Sequence, residues 1–293
     1  MKAKKSLGQN FLKSEIALRK IIEAGEIKPD DVILEIGPGK GALTKKLLEN
    51  ARLVIAVEKD YELFNFLKEK FTSEIKEGKL KLLNEDILEF NCARQDLTQY
   101  KIIANIPYNI TGAILKKFLT EKNPSGVTLR ASQPECMVLM VQHEVATRIV
   151  ARNGKESILS ISVKAYGEPK MIMKVPARYF SPSPKVDSAI IAIKNISRKN
   201  FNSPPLLNKE GNEGRFLKDS PHPDPLLSKE REIDEERFWE IVKAGFAHKR
   251  KKLSGNLKSL KNYDEFKKKS SLESLGNKRA EDLHLSDWLL LAK

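Results

Sequence analysis

The sequence predicts an α/β fold, a mostly parallel sheet wrapped in helices, followed by a small all-helical domain, and three observations carry this. Short apolar runs (Val32 to Ile36, Leu53 to Val57, Leu80 to Leu83, Lys101 to Ala104, Met137 to Val141) alternate with stretches of helical period, as strands joined by crossover helices do. The first run breaks at once into Gly37-Pro38-Gly39-Lys40-Gly41, a turn that opens a helix. Beyond Arg237 only helical period remains, and that section holds 14 Lys/Arg against seven Asp/Glu, so it is strongly basic.

In chain order, Lys2 to Leu12 is basic and lacks helical period until Ser14, which caps a helix carrying Ala17, Leu18, Ile21 and Ile22 on one face. Such an arm either touches phosphate or folds over a ligand; composition alone favours a solvated tail. Val32, Ile33, Leu34 and Ile36 then read as a strand covered on both faces, and Leu43, Leu47 and Leu48 as one stripe of the helix after the turn. A dinucleotide site would space its glycines G-x-G-x-x-G to seat a pyrophosphate. Here they fall at Gly37, Gly39 and Gly41 with Glu35 just ahead, and a carboxylate there suits a cationic ligand better.

The second strand ends in Glu58, where such folds place an acid that accepts both ribose hydroxyls. A nucleoside cofactor without a pyrophosphate satisfies both features, and S-adenosylmethionine is the candidate. Asp60 caps a helix with Leu63, Phe64, Leu67 and Phe71, and the third strand delivers Asp86 to the same edge. There it either accepts from an adenine amine or caps its loop.

The fourth strand delivers Asn105-Ile106-Pro107-Tyr108, the most specific chemical signal in the chain. An Asn amide oxygen, the carbonyl before a proline and an aromatic face together suit a planar amine. Accepting both amine hydrogens favours a pyramidal nitrogen and aims its lone pair at an electrophilic methyl. The plainer reading is an Asn-Pro turn with a packed tyrosine.

Next come a helix, Ile110 to Leu119, a polar loop, Glu121 to Glu135, and the fifth strand ending at Gln142. His143 and Glu144 lack a second histidine four residues on, so a helix start fits better than a metal site. Ser160 to Tyr166 and Ala189 to Ile193 read as the last two strands. Between them the prolines at 182 and 184 stiffen a loop that holds Phe180, either a core residue or a second stacking surface for a base.

Residues 198–236 hold five of the 14 prolines with seven basic against nine acidic residues, and show little period. They read as a linker between a domain over 1–197 and a basic helical domain over 237–293. In the latter, Lys249, Arg250, Lys251 and Lys252 are either a solvated face or a grip on phosphates.

Over the whole chain Lys and Arg number 53 against 39 Asp and Glu, a net charge of +14 that favours a polyanionic partner. Two cysteines without paired spacing argue against a disulfide framework or a zinc site, so no metal is expected. With no membrane-length apolar run, a cytoplasmic location is expected.

With Leu7 to Leu12, Glu35 to Thr44, Glu58, Asn84 to Asp86, Asn105 to Tyr108, Phe180 to Ser188, Phe246 to Leu253 and Arg279 to Leu283 in this order, the chain resembles the small-subunit ribosomal RNA adenine dimethyltransferases, the kasugamycin-sensitivity family. The resemblance implies a Rossmann-like class I methyltransferase sheet of seven strands, one antiparallel, with a small C-terminal helical domain. It implies cofactor contacts from Asn10, Leu12, Gly37, Glu58, Asp86 and Asn105. It gives Asn105 and the Ile106–Pro107 backbone the amine, and Tyr108 and Phe180 the extruded base. The implied reaction dimethylates two adjacent adenosines near the 3′ end of 16S ribosomal RNA, in the small subunit or its precursor, by a monomer without a general base. An erythromycin-resistance-type enzyme acting on large-subunit RNA and a non-catalytic assembly factor are the alternatives.

Overall fold

A computed structural model of the 293-residue chain describes residues 4, 7–95, 97–120, 133–201, 233–261, 263–264 and 270–293. The chain divides into two compact units, Met1–Ser197 and Arg198–Lys293.

The first unit is built on a seven-stranded sheet: β1 (Val32–Ile36), β2 (Leu53–Val57), β3 (Leu80–Leu83), β4 (Lys101–Asn105), β5 (Cys136–Gln142), β6 (Glu168–Val175) and β7 (Ser188–Lys194). Their spatial order is β3-β2-β1-β4-β5-β7-β6. All neighbours from β3 to β5 run parallel, and β7 runs antiparallel to both β5 and β6. Parallel strands require crossovers. Helices supply them: α2 (Ala42–Leu48) joins β1 to β2, α3 (Tyr61–Lys70) and α4 (Thr72–Lys76) join β2 to β3, and α5 (Thr111–Thr120) lies between β4 and β5. The amphipathic α1 (Glu15–Gly25) precedes them, its Ser14 cap accepting from the Ala17 N–H and its Ala17, Leu18 and Ile21 buried.

The strand sequences explain the layers. Ile33, Leu34, Ile36, Val54 to Val57, Ile102 to Ala104 and Met137 to Val141 are all buried, the continuous apolar pattern of strands covered on both faces. Chain order reverses between β1 and β4, and at such a switch the loops leaving the two strands diverge and open a crevice at their carboxyl ends. Gly37 and Asn105 stand on its two sides.

The run Ser160 to Tyr166 is not a strand. It belongs to α7 (Ile158–Lys164), which follows α6 (His143–Val150). Its β-branched content suggests extended chain, but Ser157 accepts from the Ser160 N–H at 3.2 Å and the Ser160 hydroxyl accepts from the Ser157 N–H at 2.7 Å, a reciprocal cap that starts a helix. The sixth strand is instead Glu168–Val175, an edge strand whose alternation is weak because all of it but Val175 is partly or fully exposed; an edge also tolerates Pro169, since edge strands carry N–H groups that face away from the sheet.

In the second unit, α8 (Glu235–Gly245) is capped by Asp234 and buries Phe238, Ile241 and Val242. It is followed by α9 (Leu253–Leu257), α10 (Ser270–Leu275) and α11 (Leu285–Ala292). Trp288 is fully buried and stacks on Phe246 with ring centroids 5.2 Å apart. The sequence-based linker, 198–236, lies for the most part outside the described residues. Of its ends, Phe201 sets its ring against Phe238, Arg198 pairs with Glu235, and Glu235 and Glu236 open α8.

Candidate active site

A cavity of about 660 Å³ lies at the switch point, lined by the N-terminal arm, the glycine turn, Glu35, Glu58, Asp86, the Asn105–Ile110 turn and Ser181. The glycine turn shapes it. Gly39 sits at φ +60°, and a Cβ there would come within 3.0 Å of the Phe11 ring. Gly41 caps α2 at φ +73°, and a Cβ on it would approach the Phe71 ring to 2.5 Å and Leu67 to 2.9 Å. Gly41→Ala therefore meets both a disfavoured backbone and an overfilled core, and is expected to cost about 2–4 kcal/mol. Urea unfolding of the variant checks this.

Two buried carboxylates stand behind the turn. Glu58 accepts from the Gly39 N–H through Oε2 at 3.1 Å and from the Asp60 N–H through Oε1 at 2.9 Å, which ties the turn to the end of β2. Burial pushes its carboxyl above the usual range. Glu35, on β1, is 1% exposed, and its Oε2 has no hydrogen-bond partner. Burial pushes it up to about 8, with the nearby Glu58 charge adding to the rise. A buried acid that borders the cavity and has one carboxyl oxygen unpartnered marks where a cationic group would be welcomed.

The sign of the resulting pH dependence follows. The unfolded chain ionises Glu35 near 4.5 and the folded chain near 8, so between those values the folded state holds the extra proton and stability falls as pH rises. Below 4.5 both states are protonated and the penalty vanishes. Glu35→Gln is thus expected to gain stability over the parent progressively from pH 4.5 to 8, by a few kcal/mol (~3–5) at the upper end. Urea midpoints at pH 5 and pH 8 test it.

Asp86 lies where β3 ends. Lys59 donates to its Oδ2 at 2.7 Å and the Leu88 N–H to its Oδ1 at 3.0 Å; the Lys59 contact holds the carboxyl below its ordinary value. Asn105 ends β4. Its Nδ2 donates to the Asn10 carbonyl at 3.1 Å, which leaves Oδ1 to accept from a ligand. Pro107 leads into a short 3-10 turn, Tyr108–Ile110, and the Tyr108 hydroxyl lies 2.5 Å from the Ser188 hydroxyl.

The arm is not a solvated tail over residues 7–12. Leu7 to Leu12 form a wall of the cavity, and Asn10 and Leu12 stand there with the other predicted contacts, Gly37, Glu58, Asp86 and Asn105. Phe11 and Leu12 pair antiparallel with Ser181 and Phe180. Further out, Lys4 and Gln9 donate to the two oxygens of Asp60 at 2.9 and 2.8 Å. These partners are distant in sequence, so the basic composition of the arm hid its role. Asp60, legible as a helix cap, also serves as the anchor of the arm; burial opposes its ionisation, but the Lys4 and Gln9 hydrogen bonds outweigh this and hold it below its ordinary value.

Phe180 is 2% exposed, packed in the core, and does not line the cavity; its neighbour Ser181 does. In the second unit Lys249, Arg250, Lys251 and Lys252 are exposed in the turn between α8 and α9. The buried Asn256 fixes that turn by donating to the Gly245 and His248 carbonyls at 2.6 and 3.0 Å. Among the described residues no group of three or more His, Cys, Asp or Glu could hold a metal ion, and no helix is long and apolar enough to cross a membrane.

Comparison with known proteins places these features in context. Residues 1–203 match the family described as ribosomal RNA adenine dimethylase. A ribosomal RNA small subunit methyltransferase A from Fusobacterium nucleatum is 38% identical over 298 residues, covering 100% of this chain and 97% of that protein. One from Dehalococcoides mccartyi is 45% identical over 196 residues, covering 66% of this chain and 63% of that protein, a little under two thirds of its length. Among solved structures, a dimethyladenosine transferase from Plasmodium falciparum matches with a TM-score of 0.69 at 25% identity, covering 96% of this chain and 95% of that one. The 23S rRNA methyltransferase ErmE matches with a TM-score of 0.67 at 25% identity, over 96% and 98% of the two chains.

Proposed function

This chain belongs to the ribosomal RNA adenine dimethylase family, and from that premise we propose that it transfers methyl groups from S-adenosylmethionine to the exocyclic amines of two adjacent adenosines near the 3′ end of 16S ribosomal RNA. The substrate is the small ribosomal subunit or its precursor, the protein acts as a monomer, and its place is the cytoplasm. The observation that carries the reading is that the Asn105–Tyr108 turn forms a wall of the same cavity as Glu35, Glu58 and Asp86.

The residues present fit the cofactor. The unpartnered buried Oε2 of Glu35 suits a cationic ammonium, Glu58 the ribose hydroxyls, and Asp86 an adenine amine, while Gly37, Asn10 and Leu12 shape the walls. When bound, the cofactor supplies an electrophilic methyl group. A cation beside Glu35 favours the ionised carboxylate, so the acid gives up its proton, and affinity for the cofactor rises with pH towards about 8.

The chain's own part in catalysis is to hold the acceptor. Adenine N6 is a poor nucleophile because its lone pair is delocalised into the ring. Asn105 Oδ1 and the Ile106 carbonyl accept the two N–H groups and turn the lone pair out of the ring plane. Tyr108 stacks on the extruded base, and Phe180, packed in the core, supports the ribbon that carries the arm. No side chain needs to take the proton, which leaves to water after transfer. Lys249 to Lys252 grip RNA phosphates through counterion release.

Mapping dimethyladenosine in ribosomal RNA from cells with and without this protein tests the function. Loss of both marks from 16S RNA is expected. Their persistence there, with loss of an adenine mark from 23S RNA, would favour the ErmE-like alternative, and unchanged RNA would favour an assembly factor without activity.

A further inference from the structure

The geometry points to Ser188 as a positioning residue for the reaction, one that acts by holding the axis of the Tyr108 ring where it meets the target base. This rests on the proposed role of Tyr108 and adds to it a residue on a strand remote from the glycine turn.

Ser188 is fully buried and heads β7, where its register partners are Gln142 of β5 and Val175 of β6. Flanked by two strands, its Cα has little freedom. Its hydroxyl lies 2.5 Å from the Tyr108 hydroxyl, and either oxygen can be the donor. At its other end Tyr108 is fixed by its backbone: its carbonyl accepts from the buried Thr111 hydroxyl at 3.0 Å, and Pro107 precedes it at φ −61°.

A tyrosine ring moves by two torsions. Anchoring the main chain and the phenol oxygen together fixes the first torsion and with it the axis of the ring; the second only turns the ring about that axis, and the residue so held borders the cavity. Burial raises the phenol above its ordinary range, so it stays protonated and able to donate. The pairing also explains why a phenol stands here and not a plain ring. Phenylalanine would stack as well, but it would leave the buried Ser188 hydroxyl without its partner and let the ring axis swing. Placement matters in an amine transfer because a reacting nitrogen displaced by a fraction of an ångström loses its line of attack.

The test uses the full chain and three variants, Ser188→Ala, Tyr108→Phe and the double variant, on small-subunit particles that lack the two methylated adenosines. Each single change is expected to lower kcat about 10-fold with cofactor Kd close to the parent, and to lower the melting temperature by a few degrees (~2–4 °C) because one hydroxyl loses its partner. The double variant is expected to be no slower than the slower single one, because both break the same contact. Ser188→Thr, which restores a hydroxyl on a residue suited to a strand, should recover most of the rate.

The first side-chain torsion of labelled Tyr108, read by NMR from three-bond couplings, provides a readout independent of activity: one rotamer is expected in the parent and averaging over rotamers in Ser188→Ala. An unchanged Tyr108 rotamer, a Ser188→Ala rate within twofold of the parent, multiplying effects in the double variant, or a rate loss matched by equal loss of cofactor affinity would each overturn the positioning role. A parent that shows the pinned ring but methylates no RNA would overturn the proposed function instead, and with it the role assigned to Ser188.

Discussion

Replacing Asn105 with alanine is expected to lower the methylation rate by about 100-fold or more, while binding to small-subunit RNA stays within about twofold. The side chain stands at the end of β4 with Nδ2 committed to the Asn10 carbonyl, so its oxygen is presented to the cavity by a hydrogen bond already in place. Preorganisation of this kind gives an acceptor its effect, since nothing has to reorient as the amine nitrogen pyramidalises. Alanine removes the acceptor and also releases the arm at Asn10, so some loss of cofactor affinity should accompany the larger loss of rate. RNA affinity is spared because the positive charge of the basic turn, Lys249 to Lys252, is untouched. Single-turnover rates and filter binding on the same particles separate the two quantities. A variant with near-normal turnover would take the amine-holding role away from Asn105.

Glu58→Ala is expected to weaken S-adenosylmethionine binding by about 10- to 100-fold, the loss of a charged acceptor worth about 1.5–3 kcal/mol. Part of that loss is indirect. Both carboxylate oxygens also accept backbone N–H groups, from Gly39 and Asp60, so alanine frees the glycine turn and the start of α3 together. Glu58→Gln keeps the shape but only one acceptor oxygen, and should fall between parent and alanine. Calorimetry on folded variants measures the series; unchanged affinity in Glu58→Ala would remove the residue from the site.

Much of the site is legible along the chain because its parts lie at strand ends, and strands of this kind announce themselves. Leu53 to Val57 is an unbroken apolar run and Val32 to Ile36 is broken only by Glu35, so the residues that follow them, Gly37 and Glu58, fall at the sheet edge where ligands collect. The same logic reached Asp86 and Asn105. It fails where burial is one-sided: the edge strand Glu168–Val175 has too little apolar contrast to read, and the β-branched run beside it has the pattern of a strand although the Ser157 and Ser160 caps draw it into a helix.

By itself, the sequence determined the α/β class, the glycine turn, the four strand-end residues and the basic helical section, because each depends on local pattern or on one strand's length. Only the tertiary structure decided that the arm closes a wall of the cavity through Asp60 and Asn105, that Glu35 is buried with one carboxyl oxygen unpartnered, that Phe180 packs inward, and that Ser188 meets Tyr108. These depend on partners 51 to 95 positions apart in the chain, or on how completely water is excluded around one group. Neither distance in space nor exclusion of water has a local signature, since both arise only when the sheet has brought remote segments to the same edge.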